Sequence, residues 1–415
     1  MKIINLRKEI REGFSRVTAT VIWEDVNRIN QDISFSTREE LRDSFSLNPD
    51  AFLIACCLPA MYVGEKRIKI EGYICPKVKD GLKQNMEIFR HWYGRNRYFP
   101  IAIEADIRKS SLTQNSNKHV GLFFSGGIDS LFSLRTNRLA YSLNHEASIK
   151  DCFLVYGFDM PFSEEIDENS AIFKRAYEKA KIVTDDASAN LIPIYTNIRK
   201  LDQGLGAKFW PNWYHGAALA SVAHCFTPRL KAIHIASTNA IENNEPWGSH
   251  PDIDPNYSSN ELKIIHDDLC PKFEKLKIIS DWEVAFQNIR TCYQNHEELL
   301  NCCACKKCFK VMIMLTALNK LAASRAFPIH EISVEQLKLL LWDQKEADFK
   351  VNFKVLIPFL KKYGQNQLAR IIVDECSFKA RLRRFDIEFW NGRLTKFSAF
   401  LQNVFFRKRP EVSSC

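Results

Sequence analysis

Apolar and polar residues alternate with a period of two in two segments near the start of the chain, residues 17–23 and 32–36, and this pattern predicts strands. An uninterrupted apolar run at 51–58 predicts a buried element. A strand pattern at 67–73 and a helical pattern at 83–93 follow it. The N-terminal part of the chain is therefore expected to be an α+β region.

Strand and helix patterns alternate in the middle of the chain. The predicted strands are 120–124, 152–156, 190–195 and 232–236, and the clearest helices are 170–184 and 215–225. Such alternation is typical of an α/β fold with a doubly wound parallel sheet. Ligands bind outside the carboxyl ends of the strands in these sheets, so the segments that directly follow the predicted strands are the first candidates for a site.

The chain after residue 320 favours helices, with apolar stripes at 335–342 and 356–360. A polar stretch at 109–118 predicts a linker between the N-terminal region and the α/β region. We therefore expect three domains. They are an N-terminal α+β domain (1–117), an α/β domain (118–320) and a helical, basic C-terminal domain (321–415).

One six-residue segment carries the strongest functional signal: Ser125-Gly126-Gly127-Ile128-Asp129-Ser130, between the predicted strand 120–124 and the start of a helical pattern. Its two glycines allow the backbone to approach a phosphate closely, and the unpaired N–H groups of a first helical turn attract anions. Ser125 and Ser130 add hydroxyl donors, and Asp129 suits a magnesium ion beside the phosphate. The alternative is an ordinary serine–glycine turn between a strand and a helix.

Four of the 13 cysteines are clustered in the sequence, at Cys292, Cys302, Cys305 and Cys308. Four thiolates at such spacing suit a tetrahedral zinc ion. Cys303 is a candidate substitute, but Cys302 keeps the two-residue gaps of the knuckle. An iron–sulfur cluster and a set of free buried cysteines are the alternatives.

The segment 125–130 resembles the PP-loop of the ATP pyrophosphatases (adenine nucleotide alpha hydrolases), written S-G-G-x-D-S, although Leu131 stands where the longer pattern has Ser or Thr. Together with the four-cysteine knuckle, it resembles the 7-cyano-7-deazaguanine synthase family over residues 118–320. The first cysteine gap is nine residues here, where that family has eight. The resemblance implies a sheet of PP-loop/HUP type. It also implies that Ser125, Gly126, Gly127, Asp129 and Ser130 bind ATP with Mg²⁺, that Asp129 and Ser130 are catalytic, and that the four cysteines bind zinc.

Three further residues are candidates for nucleotide binding: Gly157 and Arg199, which follow predicted strands, and His215, which precedes a predicted helix. Arg199 could neutralise phosphate, or it could pair with Asp202 on the surface. His215 could contact the leaving pyrophosphate, or it could cap the helix that it precedes.

The loop 249–255 stands where the resembling family binds its substrate, and only Pro251 and Asp252 keep that family's Pro-Asp pair. Polar residues in a loop at an active edge often bind substrate, so His250, Asp252 and Asp254 are the candidates. Turn chemistry, in which Asp and Pro fix the backbone, is the alternative.

The resemblance implies an enzyme that adenylates a carboxylate or amide, converting ATP to AMP and pyrophosphate, and then joins it to a nitrogen nucleophile. The divergent loop and the additional N- and C-terminal regions predict a different small-molecule substrate. Two alternatives remain open: a tRNA-modifying sulfurtransferase, and a non-catalytic nucleotide-binding module of a defence or modification system.

Charge and hydropathy add expectations about partners and location. The formal net charge is +9, and basic and aromatic residues interleave after residue 378, which indicates either nucleic-acid binding or a helix with a solvated basic face. No apolar stretch is long enough to span a membrane, and the first residues lack a signal peptide's apolar region. Clustered unpaired cysteines favour a reducing compartment. We expect a cytoplasmic protein without a membrane partner, and its oligomeric state is open.

Overall fold

The computed structural model describes residues 1–109, 117–160, 170–241, 244–267, 269–296, 298–342 and 353–374, and the single positions Asp386, Trp390 and Arg393. Its strands are β1 (Lys2–Arg11), β2 (Phe14–Ile22), β3 (Gln31–Arg38), β4 (Arg67–Ile74), β5 (Ala102–Ile107), β6 (His119–Phe123), β7 (Ile149–Tyr156), β8 (Asn190–Thr196), β9 (Leu230–Ile235) and β10 (Lys263–His266). Its α-helices are α1 (Pro49–Val63), α2 (Pro76–Tyr93), α3 (Ile128–Ala140), α4 (Ala171–Asp186), α5 (His215–His224), α6 (Lys272–Ser280), α7 (Glu283–Phe286), α8 (Lys306–Ala317), α9 (Val334–Trp342) and α10 (Ile357–Lys362).

The strands of the described chain form one ten-stranded sheet in the order β10-β9-β6-β7-β8-β3-β2-β1-β4-β5. The strands β6 to β10 pair in parallel, whereas β1, β2, β3 and β8 are joined by antiparallel pairings. The α/β class and a mostly parallel sheet are therefore confirmed. The PP-loop/HUP type of that sheet stays a prediction.

The order of the parallel strands reverses beside β6. From β6 the chain proceeds through α3 to β7 and through α4 to β8 on one side, and β9 and β10 lie on the other side. In open α/β sheets, the crevice at such a reversal is where ligands bind. The carboxyl ends of β6 and β9 are thus the place in the fold to search for a site.

The apolar run at 51–58 is the centre of α1, a helix that is buried on nearly all of its faces. Asn48 accepts a hydrogen bond from the backbone N–H of Asp50 and begins the helix, and Gly64, at a φ of 92°, ends it. α1 packs in a continuous core with α5 and the sheet, and the Tyr214 hydroxyl donates to the carbonyl of Ala55 at 2.7 Å.

The described chain divides into two compact units. The first comprises residues 1–125, 129–238 and 244–269, and the second comprises 126–128, 239–243 and the residues from 270 onward, each within the described ranges. One sheet extends from before the predicted domain boundary at 117/118 to beyond it. The division into three domains stays a prediction.

The structure has strands and helices where the sequence patterns predicted them in the middle of the chain. In the C-terminal part, α9 and α10 agree with the predicted helices. Most of the predicted linker and of the basic, aromatic segment lies outside the described residues. None of the described helices combines the length and the apolar character needed to cross a bilayer.

Candidate functional site

The segment 125–130 joins β6 to α3. Phe124 continues the pairing of β6, because its N–H donates to the carbonyl of Phe153 at 2.8 Å. Gly126 then turns the chain at a φ of 73°, a value that favours glycine, and α3 begins at Ile128. The hydroxyl oxygens of Ser125 and Ser130 lie 3.4 Å apart. The strand, glycine turn and helix are thus arranged as predicted.

The residues of this turn differ in exposure. Ser125 is exposed and Gly126 is buried, while Asp129 is half-buried in the first turn of α3 and Ser130 is buried. An exposed hydroxyl beside a helix N-terminus is accessible to an anion. Asp129 contributes a carboxylate in the same helical turn, and oxygen ligands of this kind suit Mg²⁺.

Gly157 follows β7 and is confined by the neighbouring strand. Its φ is 113°, and a Cβ at this position would lie 1.9 Å from the carbonyl oxygen of Thr196. Packing therefore requires glycine at this position, since the absence of a side chain lets the ends of β7 and β8 approach each other closely.

Arg199 follows β8 and makes three contacts in the first unit. Its Nε donates to Asp202 at 2.7 Å, its Nη1 donates to the carbonyl of Phe158 at 3.1 Å, and its guanidinium lies 4.0 Å from the ring centroid of Trp210. Burial raises the pKa of Asp202, and the ion pair with Arg199 opposes this shift. The structure thus has the ion pair with Asp202 that the sequence analysis gave as one of two alternatives.

His215 begins α5 directly after a π-helical turn at Trp210–Tyr214. Its Nδ1 lies 3.3 Å from the carbonyl oxygen of Trp210. Burial lowers its pKa, although Asp254 acts in the opposite direction, so the ring is neutral near pH 7. π-Helical turns are frequent at functional sites. The start of α5 is therefore a candidate part of a ligand site.

The loop that contains the predicted substrate residues packs against this helix start. Gly216 donates to the carbonyl of Gly248, and Gly248 donates to the carbonyl of Pro211, both at 2.9 Å. A Cβ on Gly216 would lie 2.3 Å from that Gly248 oxygen, so the two segments can approach this closely only with glycine present.

His250 is buried and organises its own loop. Its Nδ1 accepts from the backbone N–H of Asp252 at 3.1 Å, and its ring stands at 70° to that of Trp92, with 4.9 Å between the centroids. Burial lowers the pKa of His250. These contacts fit turn chemistry, the alternative to substrate binding for this histidine.

Asp252 has an exposed side chain and lines a cavity of about 680 Å³ together with residues of α2 and of the segment that follows it. The other lining residues are Glu87, Ile88, Arg90, His91, Trp92 and Arg95. A cavity of this size, with an aromatic wall and several charged groups, is suited to a small polar ligand.

Asp254 is fully buried and is bonded to two side chains. Its Oδ2 accepts from the Ser249 hydroxyl at 2.6 Å and from Nδ1 of His266, the last residue of β10, at 2.8 Å. The sequence analysis did not include His266 among the candidates, although it ends a strand at the edge where ligands bind. The strand-like run Lys263–His266 was the signal that could have located it.

In the second unit, the four predicted cysteines converge. The Sγ atoms of Cys292, Cys302, Cys305 and Cys308 all lie within 4.8 Å of one another, with closest distances of 3.4 to 4.0 Å. Tetrahedral Zn–S bonds of about 2.3 Å place the sulfurs about 3.8 Å apart, so the four thiols match the size of such a site. The cluster can therefore bind a metal ion.

Three of these sulfurs also accept backbone hydrogen bonds. The N–H groups of Gln294, Ala304 and Cys308 donate to Cys292, Cys302 and Cys305, respectively, at 3.4 to 3.5 Å. Such bonds stabilise thiolates and orient them toward a metal. Three neighbouring thiols, with Cys302 the foremost, lower the pKa of Cys292 by hydrogen bonding.

Asn301 holds the segments of the cluster in place, and sequence reasoning did not identify it. Its side chain is fully buried and accepts from the N–H groups of Thr291 and Cys292 at 2.8 and 3.1 Å. It also donates to the carbonyls of Ile289 and Ala326, both at 2.8 Å. An isolated asparagine beside a cysteine carries no spacing signal that predicts this role.

Cys303 lies outside the cluster. Its Sγ donates to the carbonyl of Asn301 at 3.7 Å, and its φ is 52°. Burial raises the pKa of its thiol to about 11, so it is protonated at neutral pH. The geometry thus selects Cys302 rather than Cys303, as the two-residue gaps predicted.

Comparisons with protein-family models, with curated proteins and with solved structures find no match for this chain. Only the chain's own residues and their geometry therefore indicate its function.

Proposed function

We propose that this chain is an ATP-dependent adenylating enzyme of the PP-loop type, which activates a small carboxylate or amide for attack by a nitrogen nucleophile. One observation carries the proposal. The segment 125–130, with the S-G-G-x-D-S pattern, joins the carboxyl end of β6 to α3 where the strand order of the sheet reverses. Crevices at such reversals bind ligands, and helix N-termini bind phosphate.

The residues of the turn have complementary tasks in this proposal. The hydroxyls of Ser125 and Ser130 and the backbone N–H groups at the start of α3 would donate to phosphate oxygens of ATP. Asp129 would hold Mg²⁺, which neutralises phosphate charge when bound. The half-buried position of Asp129 in the first helical turn is compatible with this task.

The chemistry follows from these positions. A carboxylate oxygen of the substrate attacks the α-phosphorus of ATP, the bond from that phosphorus to the bridging oxygen breaks, and pyrophosphate leaves with the electron pair. The contribution of the turn is positioning and electrostatic stabilisation. An ionised carboxylate needs no general base for this step.

We further propose that the four-cysteine cluster binds zinc and that this zinc has a structural role. Four protein ligands fill a tetrahedral site and leave no open position for a substrate. The mutual proximity of all four thiols supports a metal site more than the reactive cysteine pair that a sulfurtransferase would need.

The exposed Asp252 and the cavity beside it are the proposed location of the substrate's recognition groups. Because Asp254 is fully buried, a role for it in the reaction would have to pass through His266. The loop around Asp252 differs from that of the deazaguanine-binding family, so we propose a different substrate.

Pyrophosphate release from ATP tests the proposal, measured with a panel of aliphatic, aromatic and heterocyclic carboxylic acids that includes 7-carboxy-7-deazaguanine. We expect release with at least one panel member and little with the deazaguanine. The matched variant is Asp129→Asn, which keeps the size of the side chain but removes its charge. This variant should release no pyrophosphate. Absence of release with every member would contradict the proposal.

A further inference from the structure

We propose that His266, oriented by Asp254, is the general base of the second half-reaction, in which a nitrogen nucleophile attacks the adenylated substrate. This inference rests on the proposed function and adds the group that the segment 125–130 does not supply. Asp254 is then a positioning residue, and His266 is the residue that contacts the nucleophile.

The hydrogen bond between the two residues fixes the tautomer of the imidazole. A carboxylate can only accept, so the bond of 2.8 Å requires the proton to be on Nδ1 of His266. The lone pair of the neutral ring is then on Nε2. The bond to Asp254 engages Nδ1, which leaves Nε2 as the ring nitrogen that can accept a proton.

Asp254 is held rigidly by its surroundings. Its other bond at Oδ2 comes from the Ser249 hydroxyl, and its backbone N–H donates to the carbonyl of His250 at 2.9 Å. Its Oδ1 is buried and has no hydrogen-bond partner among the described residues. A buried carboxylate bonded in this way holds the imidazole ring of His266 in one orientation, which is the task of the aspartate beside a general-base histidine.

His266 lies on the same edge of the sheet as the segment 125–130. It ends β10 and pairs with Ile235, and in the next strand pair His234 of β9 is opposite Leu122 of β6. The three strands therefore end at the same level. At a spacing of about 4.8 Å between neighbouring strands, the end of β10 lies about 10 Å from the end of β6. This separation suits a substrate that extends from the ATP phosphates to the histidine.

The pair His119–Asp151, also in the first unit, has the contacts of a structural ion pair and serves as a comparison. Nδ1 of His119 lies 2.8 Å from Asp151, but Arg229 also donates twice to that carboxylate, at 2.7 and 2.8 Å. His119 begins β6, so the pair lies at the opposite ends of the strands. Asp254 has no arginine or lysine partner among the described residues, and His266 is its charged partner only when protonated.

The proton and electron balance of the step is simple. Neutral ammonia or a neutral amine attacks the acyl carbon, and its nitrogen transfers one proton to Nε2 of His266 as the C–N bond forms. The C–O bond to the phosphate breaks, and AMP leaves with that electron pair. His266 then releases the proton to water and is ready for the next cycle.

The test measures the two half-reactions separately, with ammonium as the nitrogen probe and the panel acid that gives the most pyrophosphate release. In His266→Ala, ATP–pyrophosphate exchange should continue, whereas amide formation should fall about 100-fold or more, the usual contribution of a general base. Added imidazole should restore part of the amide formation in His266→Ala but not in Asp254→Asn, where the ring remains and its orientation is lost.

A second variant separates catalysis from folding. His119→Ala removes the histidine of the His119–Asp151 pair and should keep its amide formation relative to its exchange. Amide formation in His266→Ala equal to wild type, with exchange intact in both, would overturn this inference alone. Loss of exchange and amide formation together, without imidazole rescue, would show a structural role and overturn it as well. If wild type gives no exchange with any panel acid, the proposed function fails, and this inference fails with it.

Discussion

The backbone N–H of Arg290 donates to the carbonyl oxygen of Gly126 at 2.8 Å. Gly126 is the glycine of the proposed nucleotide turn with the left-handed backbone, and Arg290 precedes Cys292, the first cysteine of the cluster, by two residues. Both residues belong to the second unit. The cysteine cluster and the turn are therefore connected by one short segment of chain, and loss of a metal should affect the turn.

This connection gives a prediction for metal removal. Purified protein should contain about one zinc per chain. Cys305→Ser should lose the metal, together with much stability and ATP turnover, because structural metal binding is coupled to folding. Cys303→Ser is the matched control and should keep the metal, since its sulfur lies outside the cluster. Elemental analysis checks both variants, and iron with a visible absorption band would instead indicate an iron–sulfur centre.

The fold was predictable where local pattern decides structure, and so was the cysteine cluster. The buried parallel strands, the glycine turn before α3 and the two-residue cysteine gaps are all local signals. The partnership of Asp254 and His266 was not predictable, because it depends on how a loop packs against the end of β10. Asn301 was missed for a similar reason, since its four partners come from two chain segments that are distant in sequence, 289–292 and Ala326.

Asn301 should be critical for the stability of the cysteine cluster. Asn301→Ala leaves two N–H groups and two carbonyls without their partner, and buried unsatisfied groups cost roughly 1–3 kcal/mol each. We expect a loss of about 3 kcal/mol or more in the free energy of unfolding, and weaker zinc binding. Denaturant unfolding and a competitive chelator titration measure the two effects. A variant as stable as wild type, with unchanged zinc affinity, would argue against a supporting role.

Two glycines with positive φ should respond differently to alanine. Gly157→Ala would place a Cβ 1.9 Å from the Thr196 carbonyl oxygen, and it should destabilise the protein by several kcal/mol or prevent folding. Gly204 has a φ of 75° and open space around it, so Gly204→Ala should cost only about 1 kcal/mol of backbone strain. Thermal unfolding of the two variants compares these costs directly, and equal losses would contradict the close approach of β7 and β8.

Stability should decline on the acid side of neutrality. Burial lowers the pKa values of His215, His224 and His250 below the usual histidine value of about 6.5. In the unfolded chain these histidines bind protons at higher pH than in the folded protein, so the free energy of unfolding falls as pH drops below about 6.5. Above that pH the histidines are neutral in both the folded and the unfolded state, so they contribute no pH dependence to the free energy of unfolding.

A single variant tests the origin of this decline. His224 donates to the Tyr257 carbonyl through Nε2 at 2.8 Å, and the amide of His224→Gln can replace that donor without titrating. Denaturant unfolding between pH 5 and pH 8 should show a shallower acid-side slope for the variant than for wild type. An identical slope would assign the decline to other groups.

The central claim is that the segment 125–130 binds ATP for cleavage between its α and β phosphates, and the nucleotide products test it most directly. With ATP, Mg²⁺ and an active panel acid, chromatographic separation should give AMP and pyrophosphate in equal amounts. Asp129→Ala should give neither while keeping its fold, because the change removes one charge at the proposed Mg²⁺ position. ADP and phosphate as the products, or normal AMP formation by Asp129→Ala, would contradict the account.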